Sequence, residues 1–380
     1  MSVRPQGVPT VDSVILSVDG LGQLLSRLRA EGRTLVGPTV RDGAIVQAEL
    51  EGLADLPAGL TEVQEPGRYR LERRGDGALF GFSTAVHSFK QLFFAPRQRL
   101  FSARRTEEGF AVTPEPAETR PLALIGARAC DLAAIAVQDR VFAEGPHADP
   151  HYVARRADVF VVALSCGVAG GTCFCVSMGT GPRATRGFDL ALTELLEGEH
   201  RFLVQVGTER GAAHLAHLPT RPASADDLGQ AEALLTRTAA QMGRTLETDG
   251  LKELLYRHAE SPRWESVARR CLSCANCTLA CPTCFCGTVE EVSDLTGQTA
   301  ERVRRWDSCF TFEHSHVHGG PVRQAAASRY RQWMTHKLAS WIDQFGTSGC
   351  VGCGRCITWC PVGIDITEEA AAFRAAEGGR

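Results

Sequence analysis

The sequence predicts an α/β domain over residues 1–245, followed by a mainly helical domain over residues 246–380. Three apolar runs in the first part end at turn residues and alternate with helical periodicity, as in a parallel α/β unit. After residue 245, strand signals nearly vanish, and helical stretches are interrupted by two dense cysteine runs. With 380 residues, the chain is long enough for two such domains.

Each element of the first domain rests on its own apolar pattern. Strands are expected at 44–50, 68–72, 122–125, 159–164 and 202–206, and helices at 21–30, 131–142 and around 188–197. A polar, Ala-rich stretch with helical periodicity over 226–242 suits a connection, which places the domain boundary near residue 245. The second domain is expected to contain helices over 251–258, 321–345 and 367–376.

Composition excludes several classes of protein. A formal net charge of −3 argues against nucleic-acid binding, which normally requires a strongly basic face. Residues 1–12 lack the apolar core of a signal peptide, and no run approaches the roughly 20 apolar residues of a membrane helix. The chain is therefore expected in the cytoplasm, where its 15 cysteines favour metal ligation over disulfides.

Two cysteine runs carry the strongest chemical signal in the sequence. Both have the spacing C-x2-C-x2-C-x3-C-P, which is typical of ferredoxins with two [4Fe–4S] clusters. In that pattern the first three cysteines bind one cluster and the fourth binds the other. The expected ligand sets are Cys271, Cys274, Cys277 and Cys360 for cluster 1, and Cys350, Cys353, Cys356 and Cys281 for cluster 2.

The surroundings of the two runs refine this interpretation. About seventy residues of helical character separate them, so the helical type of ferredoxin matches better than the compact β-α-β type. The alternative is a pair of zinc sites, but those normally use separated C-x2-C pairs rather than four-cysteine runs that end in proline. Two neighbouring clusters without an obvious substrate pocket suit one-electron relay, and no catalytic residue is expected.

Four further cysteines in the first domain suggest a third cluster. Cys130 and Cys166 follow two predicted strands and would emerge at the carboxyl edge of the sheet, where α/β folds bind ligands. Cys173 and Cys175 follow in a glycine-rich loop that could approach an inorganic core closely. Asp131 is an alternative oxygen ligand, although a position in the first turn of a helix explains it equally well. The other interpretation is that these cysteines are small buried core residues.

The remaining candidates are assigned structural positions. Cys284, Cys286 and Cys309 are one short of a cubane set, and we expect them to pack around the clusters. His314, His316 and His318 have no evident carboxylate partner, so a solvated surface is expected. Gly179-Thr-Gly-Pro lacks the third glycine and later acidic residue of a dinucleotide loop, so nicotinamide and flavin are expected on another chain.

Several motifs together resemble one family, the beta subunits of soluble [NiFe] sulfhydrogenases, which also includes the A subunit of anaerobic sulfite reductase. They are Gly126-Ala-Arg-Ala-Cys-Asp-Leu, Cys173-Phe-Cys-Val-Ser-Met-Gly-Thr-Gly-Pro, Gly187-Phe-Asp-Leu and Cys281-Pro-Thr-Cys-Phe-Cys. The resemblance extends from about residue 80 to residue 366. The His-rich segment 313–319 departs from it, and the first eighty residues match weakly, so partner contacts are expected in either place.

The resemblance implies a non-catalytic electron-transfer subunit. It would carry electrons between a flavin- and NAD(P)H-binding subunit and the small and large subunits of a [NiFe] hydrogenase. The alternative partner is a sirohaem sulfite reductase subunit. Two other classes stay open: a stand-alone iron–sulfur enzyme with an open iron site near Asp131, and a structural scaffold stapled by its clusters.

Overall fold

The computed structural model describes residues 13–378. Residues 1–12, where no signal peptide is expected, lie outside the described part. The strands are β1 (Val14–Ser17), β2 (Thr34–Arg41), β3 (Ala44–Glu49), β4 (Leu60–Glu65), β5 (Arg68–Arg73), β6 (Arg97–Thr106), β7 (Gly109–Pro114), β8 (Leu122–Arg128), β9 (Val159–Leu164), β10 (Leu190–Leu195), β11 (Arg201–Val206), β12 (Thr220–Pro222), β13 (Gly287–Ser293), β14 (Thr299–Trp306), β15 (His316–Val317) and β16 (Gly320–Pro321).

Helices surround these strands and fill most of the remaining chain. The α-helices are α1 (Val18–Ala30), α2 (Lys90–Phe93), α3 (Ala129–Phe142), α4 (Pro150–Ala157), α5 (Glu209–Leu215), α6 (Ala225–Ala240), α7 (Leu251–Arg257), α8 (Arg263–Ala268), α9 (Asn276–Leu279), α10 (Ala326–Thr335), α11 (Trp341–Phe345), α12 (Arg355–Thr358) and α13 (Ile366–Gly378). A 3-10 turn covers Leu53–Asp55, and a π-helical turn over His336–Ser340 joins α10 to α11.

An eight-stranded mixed sheet forms the centre of the first part, in the order β12-β1-β11-β10-β9-β8-β2-β3. Four adjacent inner strands, β10, β9, β8 and β2, are mutually parallel, which confirms the predicted parallel α/β unit. Alternate residues of each inner strand enter opposite cores. Phe160 and Val162 pack with the leucines of α1, whereas Val159 and Val161 pack with Leu132 of α3.

The prediction of a helix around residues 188–197 was wrong, because this segment is strand β10. All six of its residues are buried between β9 and β11 in the middle of the sheet. A strand covered on both faces has no polar side to reveal its two-residue period, so a short apolar run can be mistaken for a buried helix. Pairing with its neighbours then decides its conformation.

The second part is more mixed than predicted. Helices lie close to the expected positions at 251–258, 321–345 and 367–376, but the prediction that strands nearly vanish after residue 245 was wrong. The hairpin β13–β14 covers residues 287–306 and pairs through β14 with β6, in an antiparallel sheet of order β13-β14-β6-β7. The two sides of residue 245 thus share one sheet, and the boundary itself stays a prediction.

Buried polar contacts also join the two parts. The Lys90 ammonium, from α2, donates to the carbonyl oxygens of Thr278, Leu279 and Cys284 beside the first cysteine run. The β4–β5 hairpin packs on the second run, where Gly67 N–H donates to Ile357 O at 3.1 Å. These contacts hold both cysteine runs against the α/β part of the chain.

Candidate iron–sulfur centres

The two cysteine runs adopt the same unusual backbone. The second and fourth residues after the first cysteine have positive φ in both runs: 51° at Ser273 and 68° at Ala275, and 67° at Gly352 and 73° at Gly354. A short helix, α9 or α12, follows directly in each case. Amide groups thereby turn toward sulfur, since Ser273 N and Gly352 N each lie 3.4 Å from the Sγ atom of the first cysteine of their run.

The first run and Cys360 form one group of thiols. Burial raises the pKa of Cys277, and the charges of Cys271 and Cys360 act in the same direction. Ile364 N–H donates to Cys360 Sγ at 3.3 Å, which holds this sulfur beside the first run. Cys274 is exposed, so this group reaches the protein surface.

The second run forms a deeper group with Cys281. Burial raises the pKa of Cys350 to about 12, and Cys353 and Cys281 add to the rise through their charges. The charges of Cys281 and Cys277 contribute to a raised pKa of Cys356, so the second group lies next to the first. The fourth cysteine of each run therefore lies with the other run, as the ferredoxin pattern requires.

A buried cation lies beside the second group. Lys337 is 3% exposed, and its ammonium donates to Cys281 Sγ at 3.4 Å, Thr283 Oγ1 at 2.8 Å and Gly349 O at 3.0 Å. Burial opposes the charge on Lys337, but the thiolates of Cys281 and Cys284 outweigh it and raise the lysine pKa. Lys337 belongs to the π-helical turn, whose wider backbone is a frequent feature of functional sites.

The four cysteines of the α/β part converge on the second group. All four are buried. Burial is the main reason that the pKa of Cys175 is raised. The charges of Cys166, Cys173 and Cys353 raise it further. Cys130 packs against Cys175 and Cys353 in one cluster. Strands β8 and β9 deliver Cys130 and Cys166 to the same edge of the sheet, so the placement expected from the parallel topology is present.

Asp131 has both carboxylate oxygens engaged by other groups. One accepts a hydrogen bond from Arg128 N at 3.2 Å at the start of α3, and the other pairs with the Arg355 guanidinium at 2.9 Å. Both members of the ion pair are essentially unexposed, at 0% and 1% of side-chain area. A carboxylate held in this way is oriented toward Arg355, which favours the four cysteines over Asp131 as ligands.

Glycine allows the loop 172–175 to touch the second run. A Cβ atom on Gly354 would lie 2.4 Å from Thr172 O, and one on Gly352 would lie 2.6 Å from Phe174 O. The backbone contact is confirmed by Phe174 N–H, which donates to Gly352 O at 2.8 Å. At the same positions the first run carries Ser273 and Ala275 instead of glycine, and Ala275 is buried in the apolar core.

Among the described residues, buried hydrogen-bond donors lie beside the thiol groups. Tyr330 and Trp333 line the same small cavity as the first group, and neither the Tyr330 hydroxyl nor the Trp333 indole N–H has a partner. The Arg355 guanidinium lies beside Cys353 and the Arg128 guanidinium beside Cys166, and each hydrogen-bonds to that sulfur. Cluster sulfides accept such hydrogen bonds, so the surroundings of all three groups fit iron–sulfur clusters.

Over residues 13–378, no group of three or more His, Cys, Asp or Glu side chains is placed to hold a single metal ion. The thiols of the two runs influence one another through their charges.

Cys284, Cys286 and Cys309 lie beside this assembly, as expected, but His314 does not have the predicted solvated position. Its Nδ1 atom lies 2.8 Å from Asp307 Oδ2, and the half-buried ring also hydrogen-bonds to Cys286. These two contacts raise the His314 pKa to about 9, with the Cys286 bond contributing most. His316 and His318 are exposed, as predicted.

Sequence reasoning missed this arrangement because it missed the β13–β14 hairpin. The hairpin brings residue 286 opposite residue 307, which places the histidine, its carboxylate and two thiols together. The sequence did contain signals of a hairpin. Val289 and Val303 each stand next to charged residues, as in a half-exposed strand, and Asp294–Gly297 has the composition of a turn between two strands.

Comparisons with known proteins agree with the geometry. Residues 270–364 match the family model described as a 4Fe-4S dicluster domain. Over 310 residues, the chain is 32% identical to sulfhydrogenase 2 subunit beta of Pyrococcus furiosus, an alignment that covers 80% of this chain and 88% of that protein. Within residues 13–378, no helix combines the length and apolarity needed to cross a bilayer. The chain is an iron–sulfur protein with a [4Fe–4S] dicluster domain, and it belongs to the family of sulfhydrogenase beta subunits.

Proposed function

We propose that the chain relays electrons through three [4Fe–4S] clusters, two in the dicluster domain and a third in the α/β part. Cluster 1 is assigned to Cys271, Cys274, Cys277 and Cys360, cluster 2 to Cys350, Cys353, Cys356 and Cys281, and the third cluster to Cys130, Cys166, Cys173 and Cys175. The observation that carries this proposal is the convergence of the three thiol groups, each with a buried hydrogen-bond donor beside it. A bound cubane takes up and releases one electron.

The groups follow one another in a defined order. Cys353 is assigned to cluster 2 and also lies beside Cys173 and Cys175. Cys356 of the same run lies near Cys277 of cluster 1, whose charge contributes to its raised pKa. The order is therefore third cluster, cluster 2, cluster 1. Cys274 is exposed next to the exposed apolar residues Leu272 and Leu279, which makes cluster 1 the contact point for a partner.

The partners are inferred from the relative. Its name supports a sulfhydrogenase complex as the setting of the relay. From the family resemblance, we propose the small and large subunits of a [NiFe] hydrogenase as the catalytic partner, and a flavin- and NAD(P)H-binding subunit at the other end of the relay. The anaerobic sulfite reductase complex is the second candidate. Affinity purification of the tagged chain under anaerobic conditions, with mass spectrometry and metal analysis, separates them. Nickel with a flavoprotein supports the hydrogenase, and a sirohaem protein supports the sulfite reductase. Recovery of the chain alone contradicts the relay.

The number of clusters is tested by counting iron. The unchanged chain is expected to contain about twelve irons, four for each cubane. Cys173→Ser should lower the count to about eight, while His316→Ala, at an exposed position, should leave it at about twelve. Asp131→Asn should also retain about twelve. Eight irons in the unchanged chain would disprove the third cluster without affecting the dicluster domain.

Reduction experiments address the two remaining functional classes. Reversible reduction by dithionite, followed by electron paramagnetic resonance, is expected for a relay, whereas clusters that only staple the fold would not cycle. A stand-alone enzyme would require an open iron site near Asp131, and there the carboxylate is already paired with Arg355. The isolated chain is therefore expected to show no hydrogenase or sulfite reductase activity.

A further inference from the structure

A cavity of about 460 Å³ lies between the β13–β14 hairpin and the π-helical turn before α11. The hairpin contributes Val289 and Arg304 to its wall, and the turn and α11 contribute His336, Lys337 and Trp341. Val289 is 46% exposed, so the cavity opens to the surface at strand β13. Its volume is in the range of small-molecule sites, which combine apolar or aromatic walls with a few directed polar groups.

Aromatic rings form a connected wall in this cavity. Phe142 stacks on Phe94 with ring centroids 4.8 Å apart, and its ring meets Phe285 in a T-shaped contact at 5.9 Å. Trp341 lies 5.2 Å from Phe285 and 4.8 Å from the ring of His336. All five side chains line the cavity. Such a wall favours a planar aromatic ligand, because contacts between rings contribute beyond the burial of apolar area.

The permanently charged groups at the cavity are cations. Arg304 and Arg323 both line it, and no Asp or Glu is among the described residues that do so. Arg323 donates to the uncharged Ser315 Oγ at 3.1 Å, and Asp149 engages a single nitrogen of Arg304, Nη1. An anion is therefore attracted to this cavity, because both guanidinium groups retain further donors.

Two side chains at the cavity keep buried donors without a partner. Arg304 Nε and Nη2 have no hydrogen-bond acceptor among residues 13–378, and neither does the indole N–H of Trp341, which is 1% exposed. Nε and Nη2 share one edge of the guanidinium, where parallel N–H bonds fit two oxygens of a carboxylate or phosphate. Buried donors are costly to leave unpaired, so native proteins normally provide them with an acceptor. A bound anion provides it here.

The cavity also borders the sites assigned to clusters 1 and 2. Lys337 lines the cavity and donates to Cys281 Sγ at 3.4 Å. Trp333 lines this cavity and also the smaller cavity beside the first cysteine run. One side chain therefore separates a ligand in the cavity from each of the two clusters. A flavin ring, which takes up electrons, is accordingly a suitable probe of the site.

We infer that this cavity binds a low-molecular-weight aromatic anion. The ring of the ligand packs against Phe285 and Trp341, and its phosphate or carboxylate group accepts hydrogen bonds from Arg304 and Arg323. Such a ligand satisfies the aromatic wall, the excess of positive charge and the unpaired donors together. Binding requires no electron transfer, so the site can be tested separately from the proposed relay.

The first test measures probe binding to the full chain, purified anaerobically with its clusters. Flavin mononucleotide should bind, with quenching of its fluorescence. Riboflavin has the same ring without the phosphate and should bind roughly ten-fold more weakly, because a charge-assisted hydrogen bond is lost. The smaller anion 2-naphthoate should displace flavin mononucleotide. Equal affinities for the two flavins would overturn the anion site, and so would the absence of binding of both anions to a chain with its full iron content.

The second test uses variants that retain the iron content of the unchanged chain. Arg323→Gln should weaken the binding of flavin mononucleotide roughly ten-fold and leave that of riboflavin unchanged, because only the phosphate contact is lost. Arg305→Gln is the matched control and should keep full affinity, since Arg305 pairs with Glu290 outside the cavity. Identical affinities for flavin mononucleotide in both variants would contradict the proposal.

A further pair of variants tests the place of binding without changing a donor. Val289→Trp puts a large ring at the mouth of the cavity and should abolish the binding of both flavins. Val292→Trp, at an exposed position of the same strand outside the cavity, should bind them as the unchanged chain does. Full affinity in Val289→Trp would show that the probe lies elsewhere, and the proposal would then be wrong.

Discussion

At the scale of the residue, single buried charges influence the reduction potential of the neighbouring cluster. Lys337 is the clearest case, because its ammonium lies 3.4 Å from Cys281 Sγ with almost no exposure to water. A cation stabilises the reduced, more negative form of a cluster, and the effect is strong where the effective dielectric constant is low. The reduction potential of cluster 2 should therefore depend on this side chain.

Lys337→Met is expected to lower the potential of cluster 2 by roughly 60 mV, which corresponds to about 1.4 kcal/mol for one electron. The physical reason is loss of the positive charge with little change in side-chain volume. A redox titration monitored by electron paramagnetic resonance measures it. Lys337→Arg is the matched control and should keep the potential near that of the unchanged chain. Equal potentials in all three proteins would contradict an electrostatic role.

Backbone geometry matters at the scale of the element, where the two cysteine runs offer a natural comparison. Both require positive φ at equivalent positions, and in the second run these positions lie against the loop 172–175. Ala275 accepts the conformation at a cost of about 1 kcal/mol, and its buried methyl group packs in the apolar core beside the first run. Glycine at Gly354 is required for two reasons, the φ angle and the contact with Thr172.

Gly354→Ala should therefore destabilise the chain by more than the usual cost of alanine at positive φ, which is about 1–2 kcal/mol. The added methyl group displaces the loop 172–175, so the iron of the third cluster should be lost first. Thermal unfolding and iron analysis measure both effects. Gly346→Ala is the matched control, since its φ is 67° and nothing lies within 4 Å of the added atom. Equal losses in both variants would show that the contact is unimportant.

The reverse substitution in the first run makes a complementary prediction. Ala275→Gly removes the strain at φ 68° and also removes a methyl group that is buried in the apolar core. Folding stability should change by less than about 1 kcal/mol in either direction, because glycine also gains freedom in the unfolded chain. Denaturant unfolding of the cluster-loaded chain measures this. A loss of several kcal/mol would mean that the methyl group packs against cluster 1.

The whole molecule is held together by polar contacts that cross between the α/β part and the dicluster domain. The Arg355–Asp131 pair is fully buried, in contrast to the exposed pair Arg257–Glu377. Removing one partner of a buried pair leaves an uncompensated charge, whereas exposed pairs contribute little.

Arg355→Leu is thus expected to destabilise the chain by about 3–5 kcal/mol, while Arg257→Leu should cost less than about 1 kcal/mol. The loss should affect both parts at once, because Arg355 also donates to Ala85 O at 2.8 Å. Hydrogen exchange followed by mass spectrometry can show which segments lose stability in the Arg355→Leu variant. Exchange that increases only near residue 355 would contradict a role in joining the two parts.

Much of this molecule could be predicted from its sequence. Ferredoxin spacing identified eight ligand candidates, and strand ends placed Cys130 and Cys166 on one edge of the sheet, because both signals are local. Two kinds of information were not local. The buried strand β10 has no polar face to show its period, and the hairpin β13–β14 takes its place by pairing with β6, nearly two hundred residues earlier in the chain. His314 was misjudged for the same reason.

The position of the second cysteine run also has a consequence for how the protein is made. Residues 351–354 cover the loop that holds Cys173 and Cys175, yet they emerge from the ribosome about 180 residues later. At typical elongation rates, the loop waits roughly ten to forty seconds for its cover. During that interval its thiols are open to oxygen and to stray metal ions.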